Sequence, residues 1–336
     1  MPVVLYMPVL SGCMPVRYSP AGTILYKLLS RTPNIMIRQS ADDFFLNLKA
    51  NAPDTTVLTP TLRQNFSEFL SEMQEETTNV GDFSVEKVPL AEGAAGYWIT
   101  LPGVREDRVI LFFHGGGFTL GSTSDHLGFC IRLARASGVK IFSVDYRLAP
   151  EHPHPAPVND AMAAFRYLTG KGYHPHHILP AGICAGGNLV LGLLLSLRDK
   201  NQPLPLAAVC ISPITDILFP GESVDRNAAR DWITPARLRS IRSAYLLNSD
   251  PALPLVSPVH ANLRHLPRLY VQAGTHELLL SDIGKFVEKA RWAGVPVQVE
   301  LFEGMFHSWQ LFAEDIPEGD EAIGQIGAFA ETILAR

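Results

Sequence analysis

Cys184 is the residue of this 336-residue chain best placed to do covalent chemistry. It stands in Gly182-Ile183-Cys184-Ala185-Gly186-Gly187-Asn188. An apolar run at 178–181 precedes it and a leucine-rich run at 189–197 follows, so the stretch reads as a strand, a tight turn and a helix. A residue at the apex of such a turn needs neighbours with almost no side chain, and Gly182, Ala185 and Gly186 meet that condition. A thiol held there becomes a strong nucleophile when a base stands beside it; a small buried thiol next to a glycine-rich turn is the plainer alternative. A second stretch, His114-Gly115-Gly116-Gly117-Phe118, follows the apolar run 108–113. Three successive glycines leave backbone N–H groups unshielded, and an anionic oxygen can approach them with no side chain in the way. A nucleophile turn and an anion-binding loop in one chain point together to acyl transfer through a tetrahedral adduct.

Both stretches need a rigid platform. β-Branched and aromatic runs at 97–101, 108–113, 139–145, 206–212, 268–273 and 295–302 predict strands, and helical patterns separate the later ones, notably 281–293. Strands alternating with helices imply βαβ units and a mostly parallel sheet flanked by helices. A last helix is expected over 321–334. Residues 1–95 show helical patches at 23–29, 41–48 and 62–76, broken by prolines and without strand alternation, and are expected to form an N-terminal cap segment. The core is then expected over 96–336, with 213–257, which holds one helical patch at 235–247, as a second cap piece inserted between core strands.

Composition narrows the partners. A formal net charge of -5 gives no electrostatic case for nucleic acid. Four widely spaced cysteines, Cys13, Cys130, Cys184 and Cys210, fit no metal-binding spacing and are too few to staple a chain this long, so a reducing, cytoplasmic setting is expected. No run approaches the roughly 20 apolar residues of a membrane span, and the apolar first ten residues lack the basic start of a signal peptide. They are expected to dock as a flap over a pocket. No cofactor and no metal are expected; His174, His176 and His177 are read as loop histidines.

Three blocks carry a family resemblance: His114 to Phe118; Val144-Asp145-Tyr146-Arg147-Leu148-Ala149-Pro150-Glu151 with Pro155 and Asp160 following; and Gly182 to Asn188. They resemble the hormone-sensitive-lipase-like branch of the α/β-hydrolases, also called bacterial family IV esterases, over about two thirds of the chain. The resemblance implies the α/β-hydrolase fold with a helical cap and an acyl pocket beneath it. It also implies roles: Gly116, Gly117 and the backbone of Ala185 as oxyanion donors, His307 as general base, and His114 as a residue that shapes its loop. The sequence departs from the family at two places. Cys184 replaces the usual Ser, with Ile183 before it. At the family's acid position stands His276, so Glu277 becomes the expected acid, with Asp282 as competitor at the start of the following helix.

The sulfur has its own consequence. Thiolate leaves a tetrahedral adduct more readily than alkoxide does, so adducts of ordinary alkyl esters tend to collapse back to reactants. Acyl groups on good leaving groups escape this. The expected substrate is a small acyl compound such as a thioester, an activated ester or a lactone, and the dienelactone hydrolases are a Cys-bearing precedent in the wider superfamily. Two other readings stay open: transfer or cyclisation of the bound acyl group, as in polyketide-type metabolism, and a binding protein in which Cys184 merely fills the Ser position. The expected partner set is thus a small-molecule acyl substrate, no nucleic acid and no integral membrane segment, with a homodimer left open.

Overall fold

The computed structural model describes residues 41–57, 59, 61–72 and 81–335. Cys13, the helical patch expected at 23–29 and the apolar first ten residues lie outside the described residues. Among the described residues two helices come first, α1 (Ala41–Asn51) and α2 (Leu62–Glu72). An eight-stranded sheet follows, built from β1 (Ser84–Pro89), β2 (Ala95–Thr100), β3 (Arg105–Phe113), β4 (Val139–Asp145), β5 (Ile178–Ile183), β6 (Ala207–Ile211), β7 (Arg268–Gly274) and β8 (Val297–Phe302). The intervening helices are α3 (Leu127–Ser137), α4 (Ala156–Gly170), α5 (Ala185–Asp199), the single turn α6 (Ser223–Arg226), α7 (Pro235–Leu246) and α8 (Leu280–Trp292), and α9 (Pro317–Leu334) closes the chain.

The spatial order is β1-β2-β4-β3-β5-β6-β7-β8, parallel from β4 onward, with β1 and β2 antiparallel at one edge. β5 and β6 are buried at every position and β3 over its last six, as expected of strands covered on both faces. The connection from β4 passes over β3 to reach β5, so the order of strands reverses beside β3. In open α/β sheets the crevice at such a reversal, outside the carboxyl ends of the strands, is where ligands bind. Phe113 pairs with Gly182 at that end of the sheet. The chain therefore leaves β3 into His114 and β5 into Cys184 side by side.

The sequence reading needs one correction. Residues up to 95 were expected to lack strands, yet Ser84–Pro89 forms β1, pairing Ser84 with Thr100 through Pro89 with Ala95. Its side chains are almost all exposed. An edge strand facing water on both sides needs no apolar alternation, and Pro89 is tolerated at its end. Among the described residues no helix is long and apolar enough to cross a membrane.

The turn after β5 is packed to the limit of its backbone. A Cβ on Gly186 would lie 1.9 Å from the Phe113 carbonyl oxygen, and one on Gly182 would lie 2.3 Å from the backbone of Gly186. Because backbone atoms are the obstacle, no rotamer change relieves it. Gly186→Ala is expected to destabilise the chain by at least about 2 kcal/mol, read as a lower urea midpoint with an unchanged slope; a native midpoint would mean the turn has slack that these distances deny.

Candidate active site

Three strand ends deliver three side chains to one place. Cys184 sits between β5 and α5 with φ 56° and ψ -113°, a conformation that costs a non-glycine residue of order 1–3 kcal/mol and is held here by its surroundings. Its N–H donates to the Ile211 carbonyl at 2.8 Å, and its own carbonyl accepts from Ile214 at 3.1 Å. Glu277 follows β7 and His307 follows β8. Glu277 Oε2 lies 3.1 Å from Nδ1 of His307, and both side chains are buried. The other carboxylate oxygen accepts from Ser212 Oγ and from the Gly274 N–H, both at 2.7 Å. With Nδ1 engaged, His307 has its other ring nitrogen for the Cys184 sulfur, with which it hydrogen-bonds.

Burial works against charge on both groups of this pair. It alone would push the Cys184 thiol up, but the His307 charge and hydrogen bond outweigh it, helped by the backbone N–H groups of Ala185 and Gly117, and the thiol lies below its ordinary range. Burial likewise opposes the imidazolium. The Cys184 charge, its hydrogen bond and the Glu277 carboxylate overcome it and hold His307 well above the usual imidazole range. Each group's charged form thus favours the other's.

The structure brings together Cys184, His307 and Glu277, and it places the Gly117 and Ala185 amides on the sulfur. Gly116 contributes its carbonyl to a turn, accepting from Thr119 and Leu120 N–H at 3.3 and 3.1 Å. Its φ of 110° suits glycine, and a Cβ would lie 2.1 Å from the Leu120 carbonyl oxygen. Asp282 is set apart on the first turn of α8, with Lys285 Nζ 3.7 Å away. His114 stacks on Tyr146 with ring centroids 4.2 Å apart, and Nδ1 contacts the Gly115 carbonyl at 2.7 Å. Desolvation lowers its pKa, which suits a neutral ring that shapes its loop. The 144–160 block braces that loop: the Ala149 N–H donates to the Phe118 carbonyl at 2.8 Å, and the fork of Arg147 is held by buried Asp160 at 2.8–3.1 Å.

Several residues around the site are invisible to motif reading. His126, kept neutral by burial, which takes it down to about 3, accepts from the Gly115 N–H at 3.1 Å. Buried Asp231, from the 213–257 segment, accepts from the backbone N–H of both His307 (3.1 Å) and Leu278 (2.8 Å). Burial lifts its carboxyl to about 6. Trp232 donates Nε1–H to the His307 carbonyl at 2.7 Å, and Asn227 donates to the carbonyls of Thr275 and Glu277. The ends of that segment are joined by one side chain, Asn188 of α5, which donates to the carbonyls of Ile214 (2.9 Å) and Val256 (3.0 Å). Of these only Asn188 lies in a motif, Gly182 to Asn188; the others stand outside the motif blocks.

A cavity of about 50 Å³ opens at Cys184 and His307. Phe66 and Leu70 of α2, Leu120, Trp232, Leu238, Ile241 and Leu311 make most of its wall apolar, and Thr55 and Arg237 add polar groups.

Residues 110–311 match a family model described as alpha/beta hydrolase fold. An acetyl-hydrolase of Streptomyces hygroscopicus is 40% identical over 236 residues, covering 70% of this chain and 79% of that protein. A crystal structure of an esterase from the bacterial hormone-sensitive lipase family is 39% identical with a TM-score of 0.80, covering 87% of this chain and 96% of that one. The crystal structure of EstE5 soaked with p-nitrophenyl butyrate is 35% identical with a TM-score of 0.77, covering 87% and 98%.

The electrostatics of the pair set an expectation for thiol reactivity. An ordinary thiol loses alkylation rate about tenfold for each pH unit below its pKa of about 8.5. A thiol held lower by its histidine loses less of its thiolate as pH falls, so between pH 8 and 7 Cys184 is expected to lose less than the ordinary tenfold in its rate with iodoacetamide. Cys130 and Cys210, pushed up by burial, should stay unmodified. Peptide mapping of alkylated protein checks this; a rate at Cys184 that falls tenfold between pH 8 and 7 would contradict it.

Proposed function

The chain belongs to the hormone-sensitive-lipase-like, family IV esterase branch of the α/β-hydrolases, and from that premise we propose that it hydrolyses short acyl esters or thioesters through a covalent Cys184 intermediate. One observation supports the reading: a buried thiol and a buried imidazole favour each other's charged forms, with a carboxylate 3.1 Å from Nδ1 of the ring and two backbone N–H groups lowering the thiol.

In this mechanism the Cys184 thiolate attacks the acyl carbon, forming a C–S bond while the carbonyl π pair moves to oxygen. The N–H groups of Gly117 and Ala185, with Gly116 supplying the adjoining turn of the hole, receive that oxyanion. The imidazolium of His307 gives its proton to the leaving oxygen or sulfur as the bond to it breaks. His307, now neutral, takes a proton from water as the water oxygen attacks the thioester. The second adduct expels the thiolate, the acid product leaves, and the ion pair is restored. Glu277 keeps Nδ1 protonated, so only the other ring nitrogen exchanges protons with the reactants.

The cavity sets the acyl size. About 50 Å³ exceeds the roughly 10–15 Å³ needed for a single water by only a few atoms, which fits acetyl to butyryl and agrees with the acetyl-hydrolase relative. Helix α2, Thr55 and the 213–257 segment serve as the cap that walls it. The sulfur favours activated leaving groups, and acyl transfer to an alcohol or amine would use the same intermediate.

Intact-protein mass spectrometry with acetyl thioester and p-nitrophenyl acetate should reveal an acyl adduct at Cys184. Cys184→Ala should lose at least about 10³-fold in kcat with native folding, because the nucleophile and its base act as a unit. Near-native turnover in that variant would place the nucleophile elsewhere. Glu277→Gln should lose less than the roughly 10⁴-fold cost of the analogous change in a serine triad, because the imidazolium here is already sustained by the thiolate. With matched acyl chains, the native protein should prefer thioester and aryl ester to ethyl ester by more than tenfold, about 1.4 kcal/mol between barriers. Cys184→Ser should narrow that ratio; equal rates on all three esters would mean the sulfur exerts no selection.

A further inference from the structure

Arg237 has no part in the chemistry above, yet it occupies a costly place. It lies on the buried stripe of α7 with Ile241 and Tyr245, is 4% exposed, and forms no ion pair with a carboxylate among the described residues. A guanidinium out of water normally requires a counter-charge. This one instead spends its donors on neutral oxygens: Nη1 on the Thr55 carbonyl (3.0 Å), and Nη2 on the Gly116 carbonyl (3.1 Å) and Thr119 Oγ1 (2.6 Å). Burial lowers it to about 10, with the Cys184 charge acting in the opposite sense, so it stays cationic at neutral pH.

The partner that matters is the Gly116 carbonyl. In a planar trans peptide the C=O and the N–H point in opposite directions, and the N–H of this peptide belongs to Gly117, one of the two amides on the sulfur. Gly116 and Gly117 both have positive φ, 110° and 63°. A peptide flanked by two glycines is the freest to rotate in the loop, and rotation would withdraw the Gly117 N–H from the site. The turn supplies neutral donors to the Gly116 carbonyl; Arg237 adds a charged one, stronger and polarising the N–H at the far end.

We infer that Arg237 is a positioning residue for the oxyanion hole: it grips the Gly116 carbonyl from the cap side and so keeps the Gly117 N–H aimed at the Cys184 sulfur and at the oxyanion forming beside it. This rests on the reading of Cys184 as nucleophile. It makes the hole a joint product of three segments, because Arg237 comes from the 213–257 insertion and its other fork holds Thr55 between α1 and α2.

The test uses the full chain with p-nitrophenyl acetate and iodoacetamide. Arg237→Met is expected to lower kcat about 10–30-fold, short of the 10²–10³ that deletion of an oxyanion donor costs, with KM within about threefold of native, and to slow alkylation of Cys184 near neutral pH by removing the facing charge. Arg237→Lys keeps charge without the planar fork, so alkylation should recover while kcat stays about fivefold or more below native. Thr119→Val, which deletes one acceptor of the fork, should lower kcat a few-fold with native alkylation. A folded Arg237→Met with kcat within twofold of native overturns the proposal. If Arg237→Met does not fold, native kcat in both Arg237→Lys and Thr119→Val overturns it. The nucleophile reading fails separately, by retained turnover in Cys184→Ala.

Discussion

A thiolate and an imidazolium can be buried together only because each supplies the stabilisation that water would otherwise give the other. Apart from its partner, either would return to its neutral form, since an ion out of water costs several kcal/mol after all relaxation. The groups around Cys184 and His307 favour that pairing. Glu277 fixes the ring, two amides face the sulfur, and Ser212 and the Gly274 N–H hold the carboxylate that fixes the ring. The parallel sheet makes this possible because β5, β7 and β8 end on the same side and β3 brings the glycine loop in beside them.

The 213–257 segment has more than the function of a lid. Asp231 holds the backbone on either side of the acid and base, Trp232 holds the His307 carbonyl, and Asn227 ties two carbonyls of the acid loop. Arg237 reaches from the same segment to the glycine loop. On the other flank, Arg63 of α2 donates to the carbonyls of Thr119 and Ala149 and pairs with Glu151. Pieces that enclose the pocket also set the geometry of the reacting groups, so changes of pocket shape and of rate should be hard to separate by substitution there.

The central strands and the turn at Cys184 were legible in the sequence because their causes are local. Val139–Asp145 is a run of buried β-formers bounded by glycine and a loop, and its ends fall where the pattern puts them. Gly182 is required by the backbone of Gly186, four residues on, and Gly186 by the Phe113 carbonyl at the end of the neighbouring strand. β1 escaped because its signal is burial, and an edge strand has little of it. Glu277 could be proposed only through resemblance, since nothing local distinguishes it from Asp282; its distinction is made by β7 and β8 pairing in register, Gly274 with Phe302. Asp231 and Arg237 depend on contacts across more than a hundred residues for Arg237 and across dozens for Asp231. The trace of Arg237 was there as a cation at the i position of an i, i+4, i+8 stripe with Ile241 and Tyr245, a pattern that reads first as a snorkelling surface residue.

Asn188 sits on the first turn of the helix that follows Cys184 and grips both stems of the 213–257 segment. With its base fastened at that point, the segment is a closed loop mounted on the sheet, and the entropy of closing such a loop rises only with the logarithm of its length. Residues can therefore be gained or lost beyond the clamp at small entropic penalty, while β6 and β7 stay in register beneath it. That latitude stops at Asn227, Asp231, Trp232 and Arg237, which grip the acid, base and glycine loops, so the stretches of the segment between these grips are where length can drift without disturbing the reacting groups.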